Sequence, residues 1–455
     1  MLENRTYDEL AVGDSATLTR VLTKDDIDAF AILSGDVNPA HLDDAYARET
    51  PFQKVIAHGM WGGTLISTVL GTQLPGPGTI YVGQNLRFMR PVSLGDTVSV
   101  TLTVKEKRAK NMVLLDCVCT NQHGKVVITG EAEIMAPTAK VRRPAATLPE
   151  MHLHRLQRFD QLLAHAASSD PIRCAVVWPD EPELLRSVHD AVQAGILRPL
   201  LIGQRDRILA LAESQGLALS GCDIHPAGSA LEAAAAAVEL ARAGAAQAIM
   251  QGSLAVHTLL QVVMRHAGGL RTQRRVSHAY LADVPSYDQP LLITDAEVNV
   301  SPSLEDKRDI VQNAIDLAHR LQFDEPRVAI LSAAEAFNSN LESSTDAAVL
   351  CKMHERKDIT GGLLDGPMTF DAAIKPDVAA RKYPQSAVAG RANVLMVPNL
   401  EAANMLVKQL AHLAHADIAG IVMGARVPVI LTNPIDNSRT RLASAALAKL
   451  LIQGQ

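Results

Sequence analysis

The chain has 455 residues, too many for one hydrophobic core, so two or three domains are expected. Hydrophobic residues make up 47% and charged residues 20%, an ordinary globular balance, while aromatics at 3% leave little for base-stacking platforms. A net charge of −6 argues against a general binder of nucleic acid or anionic membrane, although local basic pockets for phosphate stay open.

The opening MLENRTYDEL does not read as a signal peptide, and no apolar run is long enough to span a bilayer. Thr23 to Leu33 reads as a short helix capped by Thr23, with Asp26 completing a capping box. Trp61 to Leu70 reads as a second, largely apolar helix, broken at Leu74-Pro-Gly-Pro-Gly78. Thr97–Lys105 and Val113–Thr120 alternate as strands, Asn121 to Gly124 makes a hairpin turn, and Val126–Met135 returns. Residues 1–137 are therefore expected to form one α+β unit, an antiparallel sheet around a central helix. Residues 138–150, with two prolines and no periodicity, read as a linker.

From residue 151 the pattern changes to alternating strands and helices. Predicted strands are Cys174–Trp178, Pro199–Ile202, Ala248–Met250, Val328–Leu331, Val394–Val397 and Val427–Leu431. Predicted helices run from Pro182 to Ala194, Leu231 to Ala243 and Leu304 to Asp316. Residues 151–455 should form an α/β part with mainly parallel sheet, long enough for two lobes. Cys117, Cys119, Cys174, Cys222 and Cys351 show no CxxC pair and no metal-ligand spacing. They are expected to be reduced thiols in a reducing cytoplasm.

The first chemical constellation is Asp36-Val-Asn-Pro-Ala-His41 followed by Ala57-His58-Gly59-Met60. A carboxylate and an imidazole lie five apart across an Asn-Pro turn, where one can orient a water and the other take its proton. Gly59 supplies a backbone amide at a predicted helix start, a place that favours a developing negative oxygen. Taken singly, Asp36, Asn38 and His41 could equally be turn and cap residues.

Residues 34–43, 57–60 and 74–81, with Gln84, Phe88, Pro91 and Gly95-Asp96, closely resemble the MaoC-like (R)-specific enoyl-CoA hydratases. The resemblance covers residues 1–137 and implies a hot-dog fold. It also implies at least a homodimer, because the acyl tunnel of that family forms near a subunit interface. It places the catalytic pair on Asp36 and His41 and the oxyanion amide on Gly59. Asn38 would support the pair, and Ser67 would line the tunnel.

The second part carries Gly269–Ser277, Leu304–Asp316, Gly361–Ala373, Ala392–Met405, Gly424–Pro428 and Arg441–Ser444. These resemble the phosphate acetyl/butyryltransferase family over about residues 150–455. The resemblance implies two α/β lobes around a cleft and acyl transfer between CoA and inorganic phosphate. Arg308, Arg439 and Arg441, with Arg274 and Arg275, are the candidate anion binders. Asp365, Glu401 and Asn404 are placed where strands end and loops begin. The chain departs from the family at Gln251 (usually Lys), Asn399 (usually Asp), Ala403 (usually Gly) and Asn433-Pro434 (usually Ser-Arg).

Three readings follow. One is a bifunctional hydratase and phosphate acyltransferase, acting on acyl-CoA or enoyl-CoA and phosphate without a metal or other cofactor. Another keeps the hydratase beside a catalytically impaired, CoA-binding or oligomerising domain. The third is an acyl-CoA sensor.

Overall fold

The Thr23 hydroxyl accepts a hydrogen bond from the Asp26 amide, and the Asp26 carboxylate accepts one from the Thr23 amide, so the capping box opens the helix Lys24–Ser34. Gly35 ends it at a φ of 74°. The computed structural model describes residues 1–148, 157–219, 222–432 and 436–453. The chain divides into two units, Met1–Leu153 and His154–Gln455.

In the first unit the predicted apolar helix runs Gly59–Thr72. A five-stranded antiparallel sheet packs against it, in the order Ser15–Val21, Thr97–Arg108, Met112–Asn121, Val126–Met135, Ile80–Phe88. Alternate residues of the two strands Thr97–Arg108 and Met112–Asn121 face inward: Val98, Val100 and Leu102, then Val113, Leu115, Cys117 and Cys119 are all buried. Trp61, Leu65, Ile66, Val69 and Leu70 present the helix's apolar face to the same core. Gly62 lets the two approach closely, since a Cβ there would lie 2.2 Å from Ile128 Cδ1. Ile80–Phe88 is an edge strand, and Ile80, Tyr81, Val82 and Phe88 along it are exposed. Arg142–Arg143, inside the segment read as a linker, pair with Leu2–Glu3.

The second unit is built on one mixed sheet, eleven strands among the described residues. Its order is Asp223–Pro226, Leu197–Gly203, Ile172–Val177, Ala248–Gln251, Val429–Ile430, Asp417–Met423, Ser277–Asp283, Leu291–Thr294, Val394–Met396, Arg327–Leu331, Leu363–Met368. Two parallel arms meet at an antiparallel centre, where Ser277–Asp283 runs against both Asp417–Met423 and Leu291–Thr294. One core cluster spans the arms, gathering Leu185, Ile310, Ile315 and Leu447. Two smaller clusters serve the arms separately: one holds Val238, Leu259 and Val429, the other Leu395, Ala403 and Val407. The five cysteines are all free. Among the described residues no helix is long and apolar enough to cross a membrane.

Candidate active sites

The first site is assembled by local caps. Asp36 accepts the Asn38 amide at 3.2 Å, and Asn38 accepts the Ala40 amide at 3.1 Å as N-cap of the short helix Pro39–Leu42. Pro39 at the first helical position costs no hydrogen bond there. His41 lies on this helix, and the next helix, Asp44–Glu49, is capped by Asp43.

The Nδ1 of His41 is 2.8 Å from the Ile56 carbonyl. A carbonyl only accepts, so Nδ1 carries a proton, and in the neutral ring Nε2 is the acceptor. Ile56 is itself held by a bridge to Ser93, and the Ala57 amide donates to the Val92 carbonyl. Two residues on, Gly59 opens the helix, where the first N–H groups have no intrahelical partner. Asp36 and its carboxylate are exposed, and His41 is half-buried. The site thus offers a carboxylate, an imidazole lone pair and backbone N–H donors.

His58, which the sequence reading quoted only as part of a motif, belongs to this group. It is 3% exposed, and its Nε2 donates to the Asp36 carbonyl at 3.0 Å. Its ring lies 4.0 Å from that of His41 at 34°, and 4.9 Å from Phe30. Atoms of Asp36, His41 and His58 that could ligate a metal lie within 4.8 Å of one another. Ser67 is exposed in an open hollow of about 480 Å³ shared with Met60, Gly63, Thr64 and the edge-strand residues Tyr81 to Gln84 and Leu86.

In the second unit a cavity of about 420 Å³ opens at the carboxyl ends of three parallel strands, Ile172–Val177, Ala248–Gln251 and Val429–Ile430. This is the usual ligand position on an open α/β sheet. Gln251 to Val256, Glu181, Tyr280, Glu297, Thr432 and Arg441 line it. Gln251 fastens the loop: its side-chain amide donates to the Leu254 carbonyl at 2.7 Å and accepts the Thr432 amide at 3.2 Å. Gly252 is required by the close approach of the neighbouring strand, because a Cβ would lie 2.0 Å from the Val177 carbonyl oxygen. The buried Ser253 hydroxyl has no hydrogen-bond partner among the described residues. Arg441 is 3% exposed, with Nη1 3.4 Å from Ser187. Tyr280 donates to Glu297 at 3.1 Å, and burial raises the Glu297 carboxyl above its usual range.

Of the residues named from sequence for this part, Arg441 lines the cavity, as does Gln251. The others do not. Arg308 is exposed on the helix Leu304–Arg320 and pairs with Asp309 at 2.9 Å. Arg439 is engaged by Asp160 at 2.9 Å and Asp417 at 3.1 Å. Arg274 pairs with Asp316, and Arg275 with Asn299 and Asp306.

The placement at strand ends needs correction. Asp365 lies within the strand Leu363–Met368, while Glu401 and Asn404 lie in the opening turns of the helix Leu400–Leu413. Asn399 caps that helix by accepting the Ala402 amide at 3.0 Å. Asn and Asp cap equally well, so this departure leaves the cap intact. Ala403 is wholly buried in the helix, where alanine is a better helix former than glycine. Asn433-Pro434 lies outside the described residues. Glu181, Tyr280 and Glu297 went unnamed, since each comes from a different part of the chain.

A profile described as phosphate acetyl/butaryl transferase matches residues 227–449. The chain is 46% identical over 293 residues to the phosphate acetyltransferase of Rhizobium meliloti, covering 64% of this chain and 93% of that protein. The chain belongs to the phosphate acetyl/butyryl transferase family. The transferase unit also matches a branched-chain phosphotransacylase from Enterococcus faecalis at 26% identity and a TM-score of 0.55, covering 62% of this chain and 99% of that one. Ahead of it lies a MaoC-like domain, matched over residues 11–122. That part is 51% identical to the unliganded R-hydratase PhaJ1 from Pseudomonas aeruginosa, covering 34% of this chain and 99% of that one, with a TM-score of 0.33. A MaoC-like domain is thus fused to a phosphate acetyl/butyryl transferase domain.

Proposed function

We propose that the MaoC-like unit, residues 1–137, hydrates trans-2-enoyl-CoA to (R)-3-hydroxyacyl-CoA. The observation that carries this reading is the Asp36–His41 pair beside the helix start at Gly59, with the free Nε2 of His41 set by its bond to Ile56. Water gives up a proton to this pair as its oxygen bonds to the β-carbon. The alkene electrons move onto the thioester oxygen, which the Gly59 N–H holds until the α-carbon takes a proton. Asn38 keeps the turn in shape. The exposed apolar edge strand Ile80–Phe88 and the hollow beside Ser67 support a dimer whose partner copy closes the acyl tunnel. Purified protein given crotonyl-CoA should lose the conjugated double bond. Failure across all chain lengths would sink the hydratase reading.

The transferase unit, residues 151–455, exchanges CoA for phosphate on an acyl group. A phosphate oxygen attacks the thioester carbon, the C–S bond breaks, and the thiolate leaves and takes a proton. Arg441 in the cavity is the anion-binding side chain, and the Ser253 hydroxyl is a further donor. The chain's likeness to a phosphate acetyltransferase supports this activity. A second reading, an impaired transferase that still binds CoA, is favoured by Gln251. It replaces the family's lysine and spends its amide on Leu254 and Thr432. Phosphate-dependent CoA release from acetyl- or butyryl-CoA would refute the impaired reading; none with any acyl chain would refute the transferase. Neither reaction requires a metal or redox cofactor. Five free thiols fit a reducing cytoplasm.

A further inference from the structure

We infer that His58 is the positioning residue of the hydration site, holding the Asp36–His41 pair in register with the Gly59 amide. The inference rests on the hydratase reading and adds a residue to it.

Three parts of the site come from three backbone segments: the turn at Asp36, the short helix carrying His41, and the helix that Gly59 opens. Asp36 and its turn are exposed, so burial does not hold the carboxylate in place. His58 touches each part. Its Nε2–H donates to the Asp36 carbonyl at 3.0 Å, which ties the turn to the helix entrance across twenty-two residues of sequence. Its ring lies against that of His41, centroids 4.0 Å apart and tilted by 34°, and is backed by Phe30 at 4.9 Å. It is bonded directly to Gly59 and is the N-cap residue of that helix.

His58 does no capping with its side chain, although N-cap residues commonly do. At 3% exposure its place in the core is secure, yet its Nδ1 is buried without a hydrogen-bond partner among the described residues. A residue chosen only to fill space would leave no polar atom unmet there, because an unpaired buried nitrogen costs about 1–3 kcal/mol. The unmet Nδ1 is the consequence of turning Nε2 toward Asp36. A leucine or phenylalanine would pack in the same volume without that cost. It would lose the bond that ties Asp36 to the helix entrance.

The test is a steady-state comparison of His58→Gln and His58→Met in the full chain with crotonyl-CoA. Glutamine can place an amide donor near the Nε2 position; methionine keeps bulk and removes the donor. His58→Met should lower kcat about a hundredfold, the scale of a misplaced catalytic group, with KM changed less than about threefold. His58→Gln should recover at least about tenfold of that loss. Folding is checked by unfolding temperature and by native size. A kcat within about threefold of wild type in folded His58→Met overturns the inference. So does a loss carried by KM alone, or an equal loss in both variants. Asp36→Asn and His41→Asn run in parallel: if they too keep full activity, the Asp36–His41 assignment has failed, whereas a wild-type chain without hydration sinks the hydratase reading itself. If only the His58 variants keep it, the positioning role alone is wrong. A metal-ligand role for His58 is a different claim. It predicts activity lost on dialysis against a chelator and restored by a divalent ion, and that outcome also overturns the inference.

Discussion

Asp36 and His41 can be separated from their structural duties by choosing replacements that keep the hydrogen bonds. Asparagine at position 41 offers an amide near Nδ1, so the bond to the Ile56 carbonyl can persist while the Nε2 lone pair disappears. Asparagine at position 36 retains an oxygen for the Asn38 amide and removes the negative charge. Because Asp36 is exposed, its replacement should change stability by no more than about 0.5 kcal/mol. What is lost in each case is base catalysis, about 10²- to 10⁴-fold in kcat, or about 2.7–5.4 kcal/mol of barrier. The two groups serve one proton transfer, so the double variant should fall no more than about tenfold below the worse single variant. Independent groups would multiply to about 10⁴- to 10⁸-fold. Crotonyl-CoA hydration by the four proteins, followed through loss of the conjugated thioester's absorbance, measures the cycle. Multiplicative losses would refute the shared role, and near wild-type rates in both single variants would refute the assignment.

Further predictions concern the transferase unit. Arg441→Met should cost about 1.5–3 kcal/mol of anion binding, read as a tenfold to hundredfold rise in KM for phosphate; an unchanged KM would remove Arg441 from the phosphate site. Lys307 and Asp346 form a buried pair at 2.6 Å, so Lys307→Met should destabilise the unit by about 3–5 kcal/mol in urea unfolding. Adding Asp346→Leu should return most of that loss, and no recovery would speak against an unpaired charge as its cause. Burial pulls the His278 imidazole down from 6.5 to about 3. The unfolded chain takes up this proton below pH 6.5 while the folded one does not, so stability is intact above pH 6.5 and lost as pH falls toward 3. His278→Asn should flatten that slope, measured as the urea midpoint against pH.

The two sites differ in how far they could be read from sequence. Asp36, Asn38, His41 and Gly59 lie close together in the chain, and caps and a proline turn dictate their local geometry. His58 escaped notice because its importance lies in a bond to Asp36 and a ring contact with His41, which no spacing reveals. The second cavity draws on Glu181, Gln251, Tyr280, Glu297, Thr432 and Arg441, brought together only by the order of the strands. An arginine's role there depends on its neighbours. Arg439 and Arg441 are two residues apart, yet one meets Asp160 and Asp417 while the other is buried in the cavity wall.

The sequence by itself determined the elements whose signals are local. The helix Lys24–Ser34 follows from its capping box, and the strand Val126–Met135 from alternation after a turn. It also marked the change from antiparallel to mainly parallel sheet beyond the linker region. Only the tertiary structure decided the antiparallel centre of the large sheet. Ser277–Asp283 and Asp417–Met423 are buried on both faces, so their residues carry no alternation from which direction or neighbours could be read. Local chemistry is written along the chain. Pairing and burial between distant segments are decided by the packing of the whole unit.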